Sequence, residues 1–308
     1  MKILNDSPIF IVGMPRSGTT LLSNLLNATN EIYIPEETHI FQLLEKYEKL
    51  GLGISFKEFF LDPKSNPYLD QLNLRDNQKT IIKNSDINTA AGILEKICII
   101  KSEDKGISRW GEKTPIHFKY TDDIFTHFNN ALVVNVVRDP RDVMISIKNI
   151  GWKRHFLYKR IKEYSEQATL IQNNKDNSKM IVIKYEDILE EPEKYLKKIF
   201  NFLNLKFNLN ILENFYKPNN LNFDLNKEPW KKNNLKPIDK TQAYKWKNSP
   251  NSFLIKTVSG ILKDEINYYG YEKGKHFSGL GYIFIRNFLY FKNLSIVLLK
   301  SLMRILFN

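Results

Sequence analysis

The segment Gly13-Met14-Pro15-Arg16-Ser17-Gly18-Thr19-Thr20 has the clearest chemical capacity in the chain. It follows a short apolar run, Ile9-Phe10-Ile11-Val12, that reads as a buried strand. It precedes Thr19 to Asn27, where Leu21, Leu22, Leu25 and Leu26 recur at helical spacing. A glycine-bearing loop between a strand and a helix N-terminus turns successive backbone N–H groups toward an anion, and the helix dipole adds to their pull. Gly13 and Gly18 admit backbone shapes that a side chain would block. Arg16 supplies a fixed charge, and Ser17, Thr19 and Thr20 supply hydroxyls. The glycine spacing matches a nucleotide-triphosphate P-loop, but Thr19 stands where that motif requires lysine. The loop still wants an anion, while ATP hydrolysis is disfavoured.

A second basic loop follows the β-branched run Ala131 to Val137. In Arg138-Asp139-Pro140-Arg141-Asp142, Pro140 suits the first turn of a helix. Arg138 can grip a phosphate through paired charge-assisted hydrogen bonds, with Ser146 two turns further on. It can equally pair with Asp139 or Asp142. Other residues have plain readings on residue type alone. Glu36-Glu37 is an acidic pair opening a helix. His39 is a structural histidine. Lys113 is a surface lysine paired with Glu112. Tyr185 is a core tyrosine at a strand end. The five histidines show no metal-ligand spacing, so no metal is expected.

The elements that must position these residues alternate strand and helix. A third strand, Met180 to Ile183, leads into a helix running from Asp187 to about Leu203. Such alternation predicts an α/β fold, a central parallel sheet with helices on both faces, and ligands beyond the carboxyl ends of the strands. The stretch 217–250, rich in Lys, Asn and Pro, reads as an irregular loop. Residues 1–275 form one domain in this reading, and 276–308 form an extension. Residues 281–308 are apolar, carry Arg286, Lys292, Lys300 and Arg304 and lack any acid. They predict a C-terminal amphipathic helix, lying on a membrane surface or a partner, or packed on its own domain.

The net charge of +12 favours an anionic partner, although a bias toward Lys, Asn and Ile accounts for part of it. No nucleic-acid recognition motif accompanies the charge, so no nucleic acid is expected. Cys98, the only cysteine, sits in an apolar run and reads as a core residue of a protein in a reducing compartment. Without a visible signal peptide or an uninterrupted apolar span, a cytoplasmic or peripheral membrane location is expected.

The residues resemble a known family. Pro15 to Thr20 resembles the 5′-phosphosulfate loop of sulfotransferases that use PAPS (3′-phosphoadenosine 5′-phosphosulfate). Val136-Val137-Arg138-Asp139-Pro140-Arg141-Asp142 through Ser146 resembles their 3′-phosphate motif. Trp110-Gly111-Glu112-Lys113-Thr114-Pro115 and Lys184-Tyr185-Glu186-Asp187 are also similar to members of the family, and the likeness covers roughly residues 8–270.

The resemblance implies a P-loop-like fold, PAPS as donor with PAP as product, and no metal. It implies donor contacts from Pro15, Arg16, Ser17, Gly18, Thr19, Thr20, Arg138, Ser146, Tyr185 and Lys245, with Trp246 packing beside Lys245. Pro35 to Phe41 is similar to the catalytic acidic segment of tyrosyl-protein and heparan sulfotransferases, which makes Glu37 the expected base. His39 matches the heparan enzymes; the tyrosyl-protein enzymes have arginine there, so this chain departs from them. Lys113 is expected at the sulfuryl group or bridging oxygen, with Arg16 sharing that role. The acceptor hydroxyl could belong to a glycan, lipid, peptide tyrosine or small alcohol. The rival readings are a P-loop nucleotide kinase or NTPase, and a non-catalytic binding protein on the same fold.

Overall fold

Four short strands pair in parallel in the computed structural model, which describes residues 7–150 and 157–277. They are β1 (Ile9–Gly13), β2 (Gly111–Glu112), β3 (Leu132–Val137) and β4 (Met180–Lys184), in the order β2-β1-β3-β4. Register places Gly13 beside Val136 and Val137 beside Lys184. The strand β2 has no sequence signal, because two residues show no period. Pairing with Ile9 and Phe10 defines it, and at Gly111 a side chain would stand 2.8 Å from the Ile9 carbonyl oxygen.

Alternation along the strands divides the core into two layers. Phe10, Val12, Val133 and Val137 face one, and Ile9, Ile11, Leu132, Val134 and Val136 face the other. In chain order the helices are α1 (Thr19–Asn27), α2 (Ile40–Leu50), α3 (Phe56–Leu61), α4 (Asp76–Asn84), α5 (Ala90–Glu103), α6 (Thr121–His127) and α7 (Pro140–Asn149). After them come α8 (Leu157–Asn173), α9 (Tyr185–Glu190), α10 (Pro192–Leu203), α11 (Asn210–Asn214), α12 (Ser252–Ile261) and α13 (Lys263–Tyr268). Leu22, Leu25 and Leu26 of α1 cover the second layer together with Leu196, Ile199 and Phe200 of α10. The first layer is closed by α2, α3, α5, α7, α8 and α12, and Cys98 of α5 is buried within it. The α/β fold with a parallel sheet between helices is therefore as expected.

Two expectations change. The helix expected from Asp187 to Leu203 is two helices, broken at Glu191 (φ −131°, ψ 64°), because Pro192 has no N–H to continue the first and instead opens the second. The loop at 217–250 is a series of short 3₁₀ turns, at Pro218–Asn220, Pro229–Leu235, Lys240–Gln242 and Lys245–Asn248. It is tied down by Asn222, whose amide nitrogen lies 3.2 Å from Ser23 Oγ and from the Ile34 and Pro35 carbonyls. The helix expected over 281–308 lies outside the described residues. Among the described residues no helix is long and apolar enough to cross a membrane.

Parallel strands put every carboxyl end on one edge. The residues that leave that edge are Met14, Lys113, Arg138 and Tyr185. Behind it Glu186 is fully buried, accepting hydrogen bonds from the Asp139 N–H (2.9 Å) and the Tyr271 hydroxyl (3.1 Å). Burial pushes its carboxyl up to about 7. A carboxyl raised on folding stabilises the fold below its unfolded value near 4.5 and loses that contribution as pH rises through 7. Glu186→Gln keeps a neutral group there. Between pH 5.5 and 8.5 the wild-type melting temperature is expected to fall relative to the variant, with a gap of roughly 2–3 kcal/mol at the alkaline end. Parallel curves in a thermal-melt series would show that Glu186 does not titrate near 7.

Candidate active site

The loop after β1 needs unusual backbone at three places. Gly13 sits at φ 154°, where a Cβ would lie 2.3 Å from the Val136 carbonyl oxygen. Gly18 sits at φ 103°, and a Cβ there would strike the Tyr185 ring at 2.2 Å. Arg16 takes φ 77°, a left-handed conformation that costs a non-glycine residue energy. The Ser17 N–H closes the turn onto the Met14 carbonyl at 3.0 Å. Pro15 is half-buried, and Thr19 and Thr20 lie buried in the first turn of α1. Ser17 Oγ is buried with no hydrogen-bond partner among the described residues.

The second basic loop rests directly on the first. Arg138 Nη1 donates to the Arg16 carbonyl at 3.0 Å, and Arg138 Nη2 donates to the Gln242 carbonyl at 2.8 Å. The same Nη2 reaches Asp142 Oδ2 at 3.4 Å, so the ion-pair reading of Arg138 also holds. Its guanidinium lies 4.6 Å from the Tyr185 ring centroid, so one tyrosine packs both on Gly18 and on Arg138. Arg16 Nε donates to Ser146 Oγ at 3.1 Å, and Nη2 donates to the Trp230 carbonyl at 3.3 Å. Arg16 has no carboxylate within ion-pair distance among the described residues. Burial, then the neighbouring Arg138, lower its pKa.

Asp139 and Arg141 pair with each other (2.6 Å), fully buried, and Arg141 stacks 3.5 Å from the Trp246 ring centroid. Asp142 accepts the backbone N–H groups of Lys245 (3.2 Å) and Trp246 (2.7 Å). Trp246 is thus packing, while the Lys245 side chain is exposed and meets Gln242 Oε1 at 2.5 Å. It stands at the rim, one residue contact away from Arg138.

Glu37 is the centre of a second cluster. Its Oε1 accepts a hydrogen bond from Lys113 Nζ and lies 3.1 Å from Lys231 Nζ. Its Oε2 faces His39 Nε2 at 3.5 Å. The acidic pair does not open a helix: α2 starts at Ile40, and His39 ahead of it is left-handed at φ 52°. Nor is Lys113 a surface lysine paired with Glu112, since its side chain is 0% exposed and its partner is Glu37. Glu112 holds a different network. It accepts from Thr38 Oγ1 (3.0 Å), the Thr114 N–H (3.1 Å) and Thr114 Oγ1 (2.5 Å), and meets His117 Nδ1 at 3.0 Å. Thr114 Oγ1 also accepts the Thr38 N–H at 3.1 Å. One buried carboxylate thereby fixes the chain on both sides of the Glu37–Lys113 contact.

Burial would raise the Glu37 carboxyl, but Lys113, Lys231 and His39 outweigh it and hold it well below the usual range. Burial lowers the Lys113 ammonium, against the pull of Glu37. Burial brings His39 down to about 4, so its ring is neutral near pH 7. The ring stacks on Tyr68 (3.8 Å) and its Nδ1 meets Gln42 Nε2 at 3.3 Å. With Nδ1 accepting, Nε2 carries the hydrogen that faces Glu37.

Lys231 carries no signal in the sequence. It is 3% exposed, reaches Glu228 at 2.5 Å as well as Glu37, and lies 5.5 Å from the Phe223 ring centroid. Nothing local separates it from Lys232; the 3₁₀ turn at 229–235 buries it. That turn also joins the two clusters, because the Trp230 carbonyl takes Arg16 and the next side chain takes Glu37.

The chain has known relatives. A model described as "Sulfotransferase family" matches residues 8–208. An uncharacterized protein of Aquifex aeolicus (strain VF5) is 26% identical over 231 residues, 68% of this chain and 27% of that protein. A protein-tyrosine sulfotransferase of Drosophila melanogaster is 25% identical over 254 residues, 77% of this chain and 46% of that protein. The chain thus spans less than half the length of these curated relatives. Among solved structures, the sulfotransferase domain from the curacin biosynthetic pathway superposes with a TM-score of 0.59 at 20% identity, covering 87% of this chain and 99% of that one. The sulfotransferase domain of the Synechococcus PCC 7002 olefin synthase also gives 0.59, at 21% identity, with 87% and 96% covered. These two likenesses establish the fold.

Replacing Lys231 with Met removes one of two ammonium groups on Glu37 at similar length. The Glu37 carboxyl is expected to rise by roughly one to two pH units, the usual worth of one close opposite charge. Carbon-13 titration of labelled glutamate carboxyls would read it, with Glu37→Gln assigning the signal. An unmoved signal would mean that Lys231 does not hold the carboxylate.

Proposed function

The chain belongs to the sulfotransferase family, and from that we propose that it moves a sulfuryl group from PAPS to a hydroxyl of an acceptor. The observation that carries this reading is the contact between the Arg16 and Arg138 loops beside the Glu37–Lys113 pair. Two guanidinium groups there share the partly buried edge of the sheet, and among the described residues Arg16 has no carboxylate within ion-pair distance. Such a site suits a ligand with two separate phosphates better than a triphosphate, and Thr19 still lacks the P-loop lysine.

In this reading the Ser17–Thr20 amides and hydroxyls take the 5′-phosphate, and Arg138 with Ser146 takes the 3′-phosphate. The phosphate oxygens replace the Trp230 and Gln242 carbonyls that now accept from Arg16 and Arg138. Lys245 adds charge from the rim. The transfer is an in-line displacement. The acceptor oxygen forms a bond to sulfur, the bond from sulfur to the 5′-phosphate oxygen breaks, and PAP leaves with the electron pair. Glu37 takes the acceptor's proton. Lys113 and Arg16 neutralise charge growing on the departing oxygen. Glu37 is a weak base while Lys113 holds it. As the ammonium turns toward the departing oxygen, the carboxylate loses a cation and gains basicity. Neutral His39 keeps the carboxylate oriented.

Arg138→Ala is expected to weaken PAP binding by roughly 2–3 kcal/mol, the worth of a charged hydrogen-bonding group. Calorimetry on both proteins tests it, with ATP as the comparison; equal PAP affinities, or ATP bound more tightly than PAP, would contradict the reading. Glu37→Gln is expected to abolish transfer of label from PAPS into cell extract while PAP still binds. Near-normal transfer by that variant would remove Glu37 from the role of base.

A further inference from the structure

A cavity of about 710 Å³, within the size range of small-molecule sites, is walled in part by the neighbour of Glu37 in the chain. Its wall includes Glu36, the residue preceding Glu37, and Phe223, whose ring lies 5.5 Å from the Lys231 ammonium that holds Glu37. Glu37 and Lys231 themselves do not line it; Glu36 and Phe223 link its wall to them.

Most charges in its wall have polar partners, and Lys105 lies 5.5 Å from the Tyr33 ring centroid without a carboxylate in ion-pair distance among the described residues. Four basic residues and three acidic ones line it. Lys101 pairs with Glu36 at 2.9 Å, Arg75 pairs with Asp104, and Lys227 donates to the Asp70 carbonyl at 2.7 Å. Such a wall offers no free cationic array for an acidic peptide or a polysulfated chain.

What remains unengaged is neutral and polar. Among the described residues the side-chain amides of Gln71 and Asn73 and the Tyr33 hydroxyl have no hydrogen-bond partner, and all three residues line the cavity. A planar amide offers a donor and an acceptor side by side. Neighbouring ring hydroxyls, each both donor and acceptor, match that pattern, and the Phe223 and Tyr33 rings supply apolar surface for the C–H faces of a sugar.

We propose that this cavity is the acceptor subsite and that it takes a neutral carbohydrate, held by Gln71, Asn73 and Tyr33 with one hydroxyl directed to Glu37. The proposal rests on the sulfotransferase reading and narrows its acceptor. The full chain is incubated with labelled PAPS and three probes: an array of neutral oligosaccharides, a tyrosine peptide flanked by acidic residues, and heparan sulfate. Label is expected in neutral oligosaccharides. The double variant Gln71→Ala, Asn73→Ala is expected to raise the KM for the best of them at least tenfold with PAP affinity unchanged. Label confined to the peptide or to heparan sulfate overturns the proposal, as does an unchanged KM. If PAP binds but no oligosaccharide is labelled, the carbohydrate assignment alone falls. If PAP itself does not bind, the sulfotransferase reading falls and takes the assignment with it.

Discussion

Two guanidinium groups set side by side with too little opposite charge are the constraint on which the rest of the site is built. Like charges at close range repel, and partial burial strengthens the repulsion. The fold contains it with neutral oxygens: the Arg16 carbonyl for Arg138, Ser146 for Arg16, and the carbonyls of Trp230 and Gln242 for both. The Tyr185 ring adds a π-face to Arg138. Among the described residues only Asp142 forms an ion pair with either of them, and its oxygens are shared with the backbone at Lys245 and Trp246. Arg16 and Arg138 are thereby held in place by neutral groups, and in the proposed reading phosphate oxygens take over two of these contacts, those of the Trp230 and Gln242 carbonyls.

The second cluster solves the opposite difficulty. Glu37 and Lys113 are drawn from segments 76 residues apart and must meet with little freedom. The Glu112 network does this without touching either member of the pair. It pins Thr38 on one side and Thr114 on the other, and each flanks one member of the pair. Because Glu112 is fully buried, an incomplete network there would leave an unpaired charge, which is costly. Its full complement of partners explains how a carboxylate sits at the end of a strand inside the core.

Legibility in the sequence followed the range of the interaction. Apolar runs and leucine spacing are local, so α1 runs over Thr19–Asn27, the expected span, and three strands fall within a residue or two of expectation. The break at Pro192 is equally local, but the apolar pattern continues beyond it and masks it. Residues whose surroundings are set by distant chain were harder to place. Lys231 looks like any lysine of a basic stretch until the 3₁₀ turn folds it under Phe223. Glu112 beside Lys113 looks like an ion pair, yet the strand geometry sends the two side chains to different partners. The left-handed backbone at His39 was invisible too, and it is what keeps the two acids outside α2.

The carbonyls of Trp230 and Gln242 belong to one stretch of chain and occupy N–H groups of Arg16 and Arg138. If the proposed phosphates take those N–H groups, stretch and anion compete for shared donors, and competition of this kind is reciprocal. A molecule that gripped the outer surface of 217–248 in its present position would then weaken anion binding by the same factor by which the anion weakens that grip. On the proposed reading, a docking partner on this surface would oppose the nucleotide without touching it.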